Sequence, residues 1–488
     1  MIHTIVAAPI AFVANAIVSR SLGVADYGRL ALITLVITIA TSVTDLGVSD
    51  GVIQWGAAAH ARGDRTVVNS LLMRSLGYRL AFQLPIMAVT VAVIGRGEPP
   101  LVLLALLVCV AAPALLGSVA LAIGIQNRTA AAAQIAMVGN VVVQAAVATT
   151  AALSRSPVAV WTSRALTMAA FMPLNMLPID RPTRRAALRP RLPVNMPHGF
   201  WKFSVLTAAS GLVALMVFSR SELLVLRGVG TIEAAGLFAL AFGLSQQITA
   251  PIDAVLGPLN PAVAGIVEAH PARVRQALLR ATRVSGLLAA ALCVIGLPVL
   301  YALIPLIYGK PWAPAAPAFL LLAITSCLQS VVNPLLTFNR ARRRSALLLR
   351  INCAALVVDV ALAFAAIPFI GLWGAVAANA AGQLTLLILL ARSECRAWSI
   401  RATEYVRALA AFLSAAVGTG LTVLVFSASE WYPPLATTAA VAASGLVVLV
   451  GTRLSGGRVP VDDVRPALDV LPRRIARVVA LLLRPVTA

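Results

Sequence analysis

Leu101–Ile125 reads LVLLALLVCVAAPALLGSVALAIGI, a run without one charged side chain. A helix apolar on every face has no surface to offer water, and a stretch of about 20 such residues matches the hydrocarbon core of a bilayer. The same signal recurs outward in both directions. Before it stand apolar runs near 4–19, 30–49 and 76–95; after it come 130–153 and 157–179. A basic connector, Arg181 to Lys202, follows. Beyond it lie 203–221, 232–257, 284–307, 314–338, 346–367, 371–391, 405–426 and 433–451. The expectation is an all-α polytopic membrane protein with about fourteen transmembrane helices. No ten-residue segments of alternating polarity suggest a barrel. The composition agrees: 60% of the 488 residues are hydrophobic and 11% charged, with mean hydropathy +0.93.

The formal charge of +22 would point to nucleic acid in a soluble protein, so its placement matters. If the N-terminus is cytoplasmic, one face collects Arg62, Arg65 and Arg74, the connector, Arg273 to Arg283, Arg340 to Arg350, Arg392 to Arg407 and the tail. The other face keeps Arg20, Arg29, Arg96, Arg155, Arg164, Arg220, Arg227 and Lys310. This asymmetry of roughly four to one places both termini in the cytoplasm and makes the charge topological. No nucleic-acid partner is expected. Anionic lipid headgroups at the inner leaflet are natural partners for the surplus.

Several chemistries are missing. The connections are too short for an extramembrane catalytic or nucleotide-binding domain, and no phosphate-binding glycine loop appears. Cys109, Cys293, Cys327, Cys353 and Cys395 stand alone, without paired spacing, and read as small apolar residues. His3, His60, His198 and His270 fall at the terminus or in connections, so no metal site and no histidine-based triad is expected. The first run lacks a basic lead-in and a small-residue cleavage site, which reads as a retained span. Pro466 to Leu483 alternates apolar and arginine faces at helical spacing, as an interfacial helix would.

The chain carries a faint internal echo. Ser19-Arg20-Ser21 precedes Asp26-Tyr27-Gly28 and an apolar run; Ser219-Arg220-Ser221-Glu222 precedes Glu233-Ala234-Ala235-Gly236 and another. Repeats so placed suit a two-lobed transporter. The Leu22-Gly23 and Asp26-Tyr27-Gly28 turn, with Asp45-Leu46-Gly47 closing the second span, resembles the opening of polysaccharide biosynthesis proteins, the Wzx-type oligosaccharide flippases. Gly236 to Ala241, Pro258 and Pro261, Ile307-Tyr308-Gly309 and Ile367 to Ala375 extend the resemblance through the second part. Glu222 departs from the pattern, standing where Asp is common in the family.

The resemblance implies the fold of the multidrug, oligosaccharidyl-lipid and polysaccharide exporter superfamily. That fold has two six-helix lobes around a central cavity plus two C-terminal helices. On it, residues 1–180 and 203–392 form the lobes, 181–202 the connector, 393–451 the added helices and 452–488 a basic tail. The resemblance also implies a function: moving a polyprenyl-pyrophosphate-linked oligosaccharide from the cytoplasmic to the outer leaflet of a bacterial inner membrane by alternating access. Glycosyltransferases or a polymerase of the same pathway would be further partners.

A charged headgroup crossing lipid needs polar replacement for its lost water. Arg220 and Glu222 close the seventh span, Arg20 closes the first, and Arg74 and Arg79 enter the third; the four guanidinium groups are candidates for the diphosphate, with Glu222 beside Arg220 as a further cavity candidate. Each also fits a plainer role as a snorkelling or paired anchor. Asp45, Asp253 and Asp359 lie in or near apolar runs, as coupling carboxylates or as paired structural acids. Asn140, Gln144, Gln246, Gln247, Asn260 and Asn333 are candidate partners for sugar hydroxyls, or interhelical bonds. No cofactor is expected, and the buried acids leave proton or sodium coupling open. Two other readings stand beside the flippase: a multidrug or cation exporter on the same scaffold, and an integral membrane glycosyltransferase or polymerase, for which the external loops hold few acids.

Overall fold

A computed structural model describes residues 2–94, 96–97, 100–126, 128–219, 221–256, 273–342, 344–427 and 433–454. The interfacial helix expected over Pro466 to Leu483 lies outside them, as do Arg220, Asn260, Pro258 and Pro261. Among the described residues the structure is helical, with no strand. Helices dominate because each satisfies its own backbone hydrogen bonds where lipid offers none. Among the described residues ten helices are long and apolar enough to cross a membrane, or eleven if one bent pair is a single span. The protein is thus a multi-pass membrane protein.

The chain divides into two compact units, Met1–Arg220 and Ser221–Ala488. The first contains α1 (Ile2–Asp45), α2 (Val48–Ala61), α3 (Arg65–Tyr78), α4 (Leu84–Ile94), α5 (Pro100–Ile125), α6 (Thr129–Ser154), α7 (Pro157–Phe171), α8 (Arg181–Ala187) and α9 (Phe200–Ser219). The second contains α10 (Ser221–Val229), α11 (Ile232–Leu256), α12 (Val274–Ala291), α13 (Leu297–Tyr308) and α14 (Ala315–Ala341). It continues with α15 (Ser345–Ile370), α16 (Leu372–Ala397), α17 (Ala402–Ser427) and α18 (Pro433–Leu454).

The sequence separates two spans within α1, and the structure shows how they meet. Gly23 takes φ 75°, ψ 177°, outside the helical region, a conformation favoured by a residue without Cβ. The Tyr27 hydroxyl donates to Asn15 Oδ1 at 2.9 Å. Twelve residues of straight helix would hold these positions roughly 18 Å apart, so the chain doubles back at Gly23. The connector is likewise structured: Asp180 caps α8 through the Thr183 amide, and the Arg191 amide donates to Met73 O at 3.0 Å. α9, assigned to the second lobe from sequence, packs on α1 and α2 of the first unit.

Gly77 makes the connector's docking possible. A Cβ there would sit 1.9 Å from the Arg191 carbonyl oxygen, a backbone atom that no rotamer can move. Gly77→Ala is therefore expected to displace the connector and destabilise the first unit by about 1–3 kcal/mol, the range for overpacking. A lowered unfolding temperature of the purified protein would register it, and an unchanged one would contradict the close approach.

Lipid tails are as apolar as leucine, so helix association rests on close packing of small residues. The α15–α16 pair shows this: Ala355, Ala363, Ala375 and Ala378 are fully buried, while Val357, Phe364, Phe369 and Ile388 are exposed. Both units also share an irregularity. The long helix made by α3 and α4 holds a π turn at Arg79–Gln83, and that made by α12 and α13 holds one at Leu292–Gly296.

Candidate functional site

Among the described residues, each unit contains a buried cluster of charged side chains on spans the sequence singled out. In the first, Asp45 ends α1, Ser49 lies in the first turn of α2, and Arg79 opens the π turn after α3. Arg79 is 8% exposed. Its guanidinium donates to Asp45 Oδ1 at 3.3 Å, to Ser49 Oγ at 2.7 Å and to Gln83 Oε1 at 3.1 Å. Ser49 Oγ in turn donates to Asp45 Oδ1 at 2.7 Å. The adjacent Tyr78 hydroxyl donates to the Thr44 carbonyl at 2.8 Å, joining the same two helices. Gly117 of α5 leaves space for the guanidinium, since a Cβ there would fall 2.7 Å from one of its nitrogens. Arg79 Nε is buried without a partner.

The second unit holds a pair of acids. Glu222 on α10 and Asp359 on α15 are both fully buried, with their carboxyl groups at hydrogen-bonding range of each other. Asn379 Nδ2 donates to Glu222 Oε1 at 2.8 Å, and Ser221 Oγ donates to Asp359 Oδ2. Glu222 Oε2 and Asp359 Oδ1 have no donor. Gly382 of α16 permits this arrangement: a Cβ there would lie 3.0 Å from Asp359 Cβ. Beyond Asn379 the polar groups continue. Thr325 Oγ1 lies 3.4 Å from Asn379 Oδ1, while Gln246 reaches Ser326 Oγ at 3.4 Å and Ser326 reaches Ser245 at 3.0 Å. Thr325 and Ser326 are neighbours on α14, so polar side chains extend from α11 across α14 and α16 to the acids.

The structure therefore brings Asp45 to Arg79, and Glu222 to Asp359 and towards Gln246. Arg74 instead holds the connector, donating to the Asn195 carbonyl. Arg20 is exposed on α1, and Gln247 and Asn333 are half-buried. Asn140 is exposed and accepts a long bond from Gln144, at 3.4 Å. Arg220 and Asn260, and the side chain of Asp253, fall outside the described residues. Sequence reasoning missed Ser49, Gln83, Ser221 and Asn379. Gln83 follows Arg79 at helical spacing, and Asn379 interrupts an alanine-rich run; those were the available signals. Among the described residues no cluster of His, Cys, Asp or Glu is composed to hold a metal ion.

A cavity of about 270 Å³ in the first unit is lined by residues that include His60, Arg65, Arg128, Gln126 and Asp180. Burial pushes the Asp180 carboxyl up, but hydrogen bonds from Gln126 and Thr183 outweigh it and hold it below the usual carboxylate range.

The fold has solved counterparts. The structure titled lipid II flippase MurJ, inward closed conformation, aligns with TM-score 0.60 at 10% identity, over 93% of this chain and 97% of that one. An inward-facing multidrug resistance MATE transporter of the MOP superfamily aligns with TM-score 0.58 at 14% identity, over 81% of this chain and 96% of that one. At such identities the likeness is one of fold. A search of curated proteins gave no match. A family profile described as polysaccharide biosynthesis protein matches residues 17–317. The chain belongs to the polysaccharide biosynthesis protein family.

Proposed function

We propose that this protein is a flippase that carries a polyprenyl-pyrophosphate-linked oligosaccharide from the cytoplasmic to the outer leaflet of a bacterial inner membrane by alternating access. Both termini are taken as cytoplasmic. The observation that carries the reading is the family match on a transporter fold whose buried ionic clusters sit inside helix bundles. Glycosyltransferases or a polymerase that build and consume such a substrate are its expected partners.

Two roles follow for the clusters. The diphosphate would be met by guanidinium groups, with Arg79, Arg20, Arg74 and Arg220 as candidates. Arg79 is already engaged with Asp45, Ser49 and Gln83, so a phosphate would have to exchange with Asp45, an anion for an anion. The Glu222–Asp359 pair is the candidate coupling site. Two carboxylates in contact and away from water repel strongly, so a proton or a small cation such as sodium between them satisfies both orphaned oxygens. Asp45 and Asp253 remain secondary candidates.

Cells depleted of the protein are expected to accumulate a sugar-linked polyprenyl lipid on the cytoplasmic leaflet, measured by leaflet-selective labelling. An unchanged distribution would sink the flippase reading. A second reading, export of hydrophobic cations, is favoured by one observation: a buried pair of acids suits a cationic cargo. Dye efflux from vesicles separates the two.

A further inference from the structure

A cavity of about 550 Å³ lies in the second unit, where the turn after α14, the start of α15 and the last turns of α16 meet. Four arginines line it: Arg342, Arg344, Arg392 and Arg396. Arg392 and Arg396 are one turn apart on α16, a like-charge spacing that destabilises a helix unless an anion lies between them. Arg344 is the residue before the first turn of α15 and makes no side-chain cap, so the positive end of that helix is open towards the same region.

One of the four is built in. Arg342 donates to both oxygens of Glu394 at 3.1 Å, and its guanidinium lies 5.2 Å from the centre of the Trp398 ring. Glu394 is fully buried and also accepts from Asn339 at 2.9 Å and from Trp398 Nε1 at 3.0 Å. Its charge is therefore consumed behind the cavity wall. Among the described residues no ion pair engages Arg344, Arg392 or Arg396, which leaves the cavity with a surplus of positive charge on its walls. Leu347 and Ile351 supply an apolar side to the same space.

We propose that this cavity binds a phosphate-bearing anion. Guanidinium forks match phosphate oxygens in bidentate geometry, and converging arginines from one helix and the turn between α14 and α15 provide several such forks. Two sources share this chemistry: the headgroup of an anionic phospholipid, and a soluble phosphate or pyrophosphate. The apolar wall accommodates the root of an acyl chain in the first case and has no use in the second. The site shares no residue with the Arg79 and Glu222–Asp359 clusters and stands whether or not the flippase reading holds.

The test uses the full chain, purified in detergent, with the double variant Arg392→Gln/Arg396→Gln. Both residues are exposed on α16, so the fold is retained. Binding of phosphatidylglycerol against phosphatidylcholine in mixed micelles, and of inorganic pyrophosphate, is measured by native mass spectrometry and thermal shift. Phosphatidylglycerol affinity is expected to fall about tenfold or more in the variant, each lost charge-assisted bond contributing on that order. Arg392→Lys/Arg396→Lys retains part of it. If phosphatidylglycerol alone responds, the occupant is a lipid headgroup; if pyrophosphate alone responds, it is a soluble anion. A control pair, Arg62→Gln/Arg185→Gln, removes equal charge elsewhere. An equal loss in that control, or no loss in either arm for the cavity variant, overturns the proposal.

Discussion

Glu222→Gln and Asp359→Asn are each expected to abolish gradient-driven transport while leaving the protein folded. Each substitution keeps the shape of the side chain and an oxygen for its present donor, Asn379 or Ser221. Each also removes one of two like charges held in contact, so stability stays level or rises. What is lost is the difference in ion affinity between states, which is all that a coupling ion can spend. Gradient-driven transport in reconstituted vesicles should drop by about 100-fold, and the double variant should do no worse than either single one. Imposed pH and sodium gradients identify the ion. Full gradient-driven activity in Glu222→Gln would remove the pair from the mechanism.

Glu394→Ala is expected to be the most destabilising single change in the second unit. Glu394 collects Arg342, Asn339 and Trp398 where the C-terminal ends of α14 and α16 meet. Removing it strands a guanidinium whose side chain is 13% exposed, together with two neutral donors. Breaking a buried pair from one side costs about 3–5 kcal/mol. A thermal unfolding curve would show the loss, and Glu394→Gln, which keeps an acceptor, should recover part of it. A melting temperature equal to the parent's would mean that water already solvates this cluster.

The helices were legible because lipid imposes one rule on every span: an apolar exterior with internal hydrogen bonds. Leu101–Ile125 needed nothing more. The turn at Gly23 was legible as a boundary, though not as the reversal that brings Tyr27 to Asn15. Side-chain partnerships were hidden for a different reason. Asp45 and Arg79, or Glu222 and Asp359, are far apart along the chain, and periodicity carries no information about which helix faces which. Composition flagged each as a costly residue in an apolar setting, but Glu222 was grouped with arginines when its neighbour is another acid. Glu394 escaped notice because an acid beside Arg392 and Arg396 reads as an ordinary surface charge. Only the packing of α14 against α16 removes it from water.

Each π turn holds one residue more than an α turn of the same rise, and one residue amounts to roughly 100° of helical rotation. The halves before and after Arg79–Gln83, and before and after Leu292–Gly296, are therefore out of angular step. A helical wheel drawn straight through either one assigns the wrong stripe to the membrane beyond it. A relative lacking the extra residue would have to rotate its entire lower half, or else redecorate it, to keep the same groups away from oil.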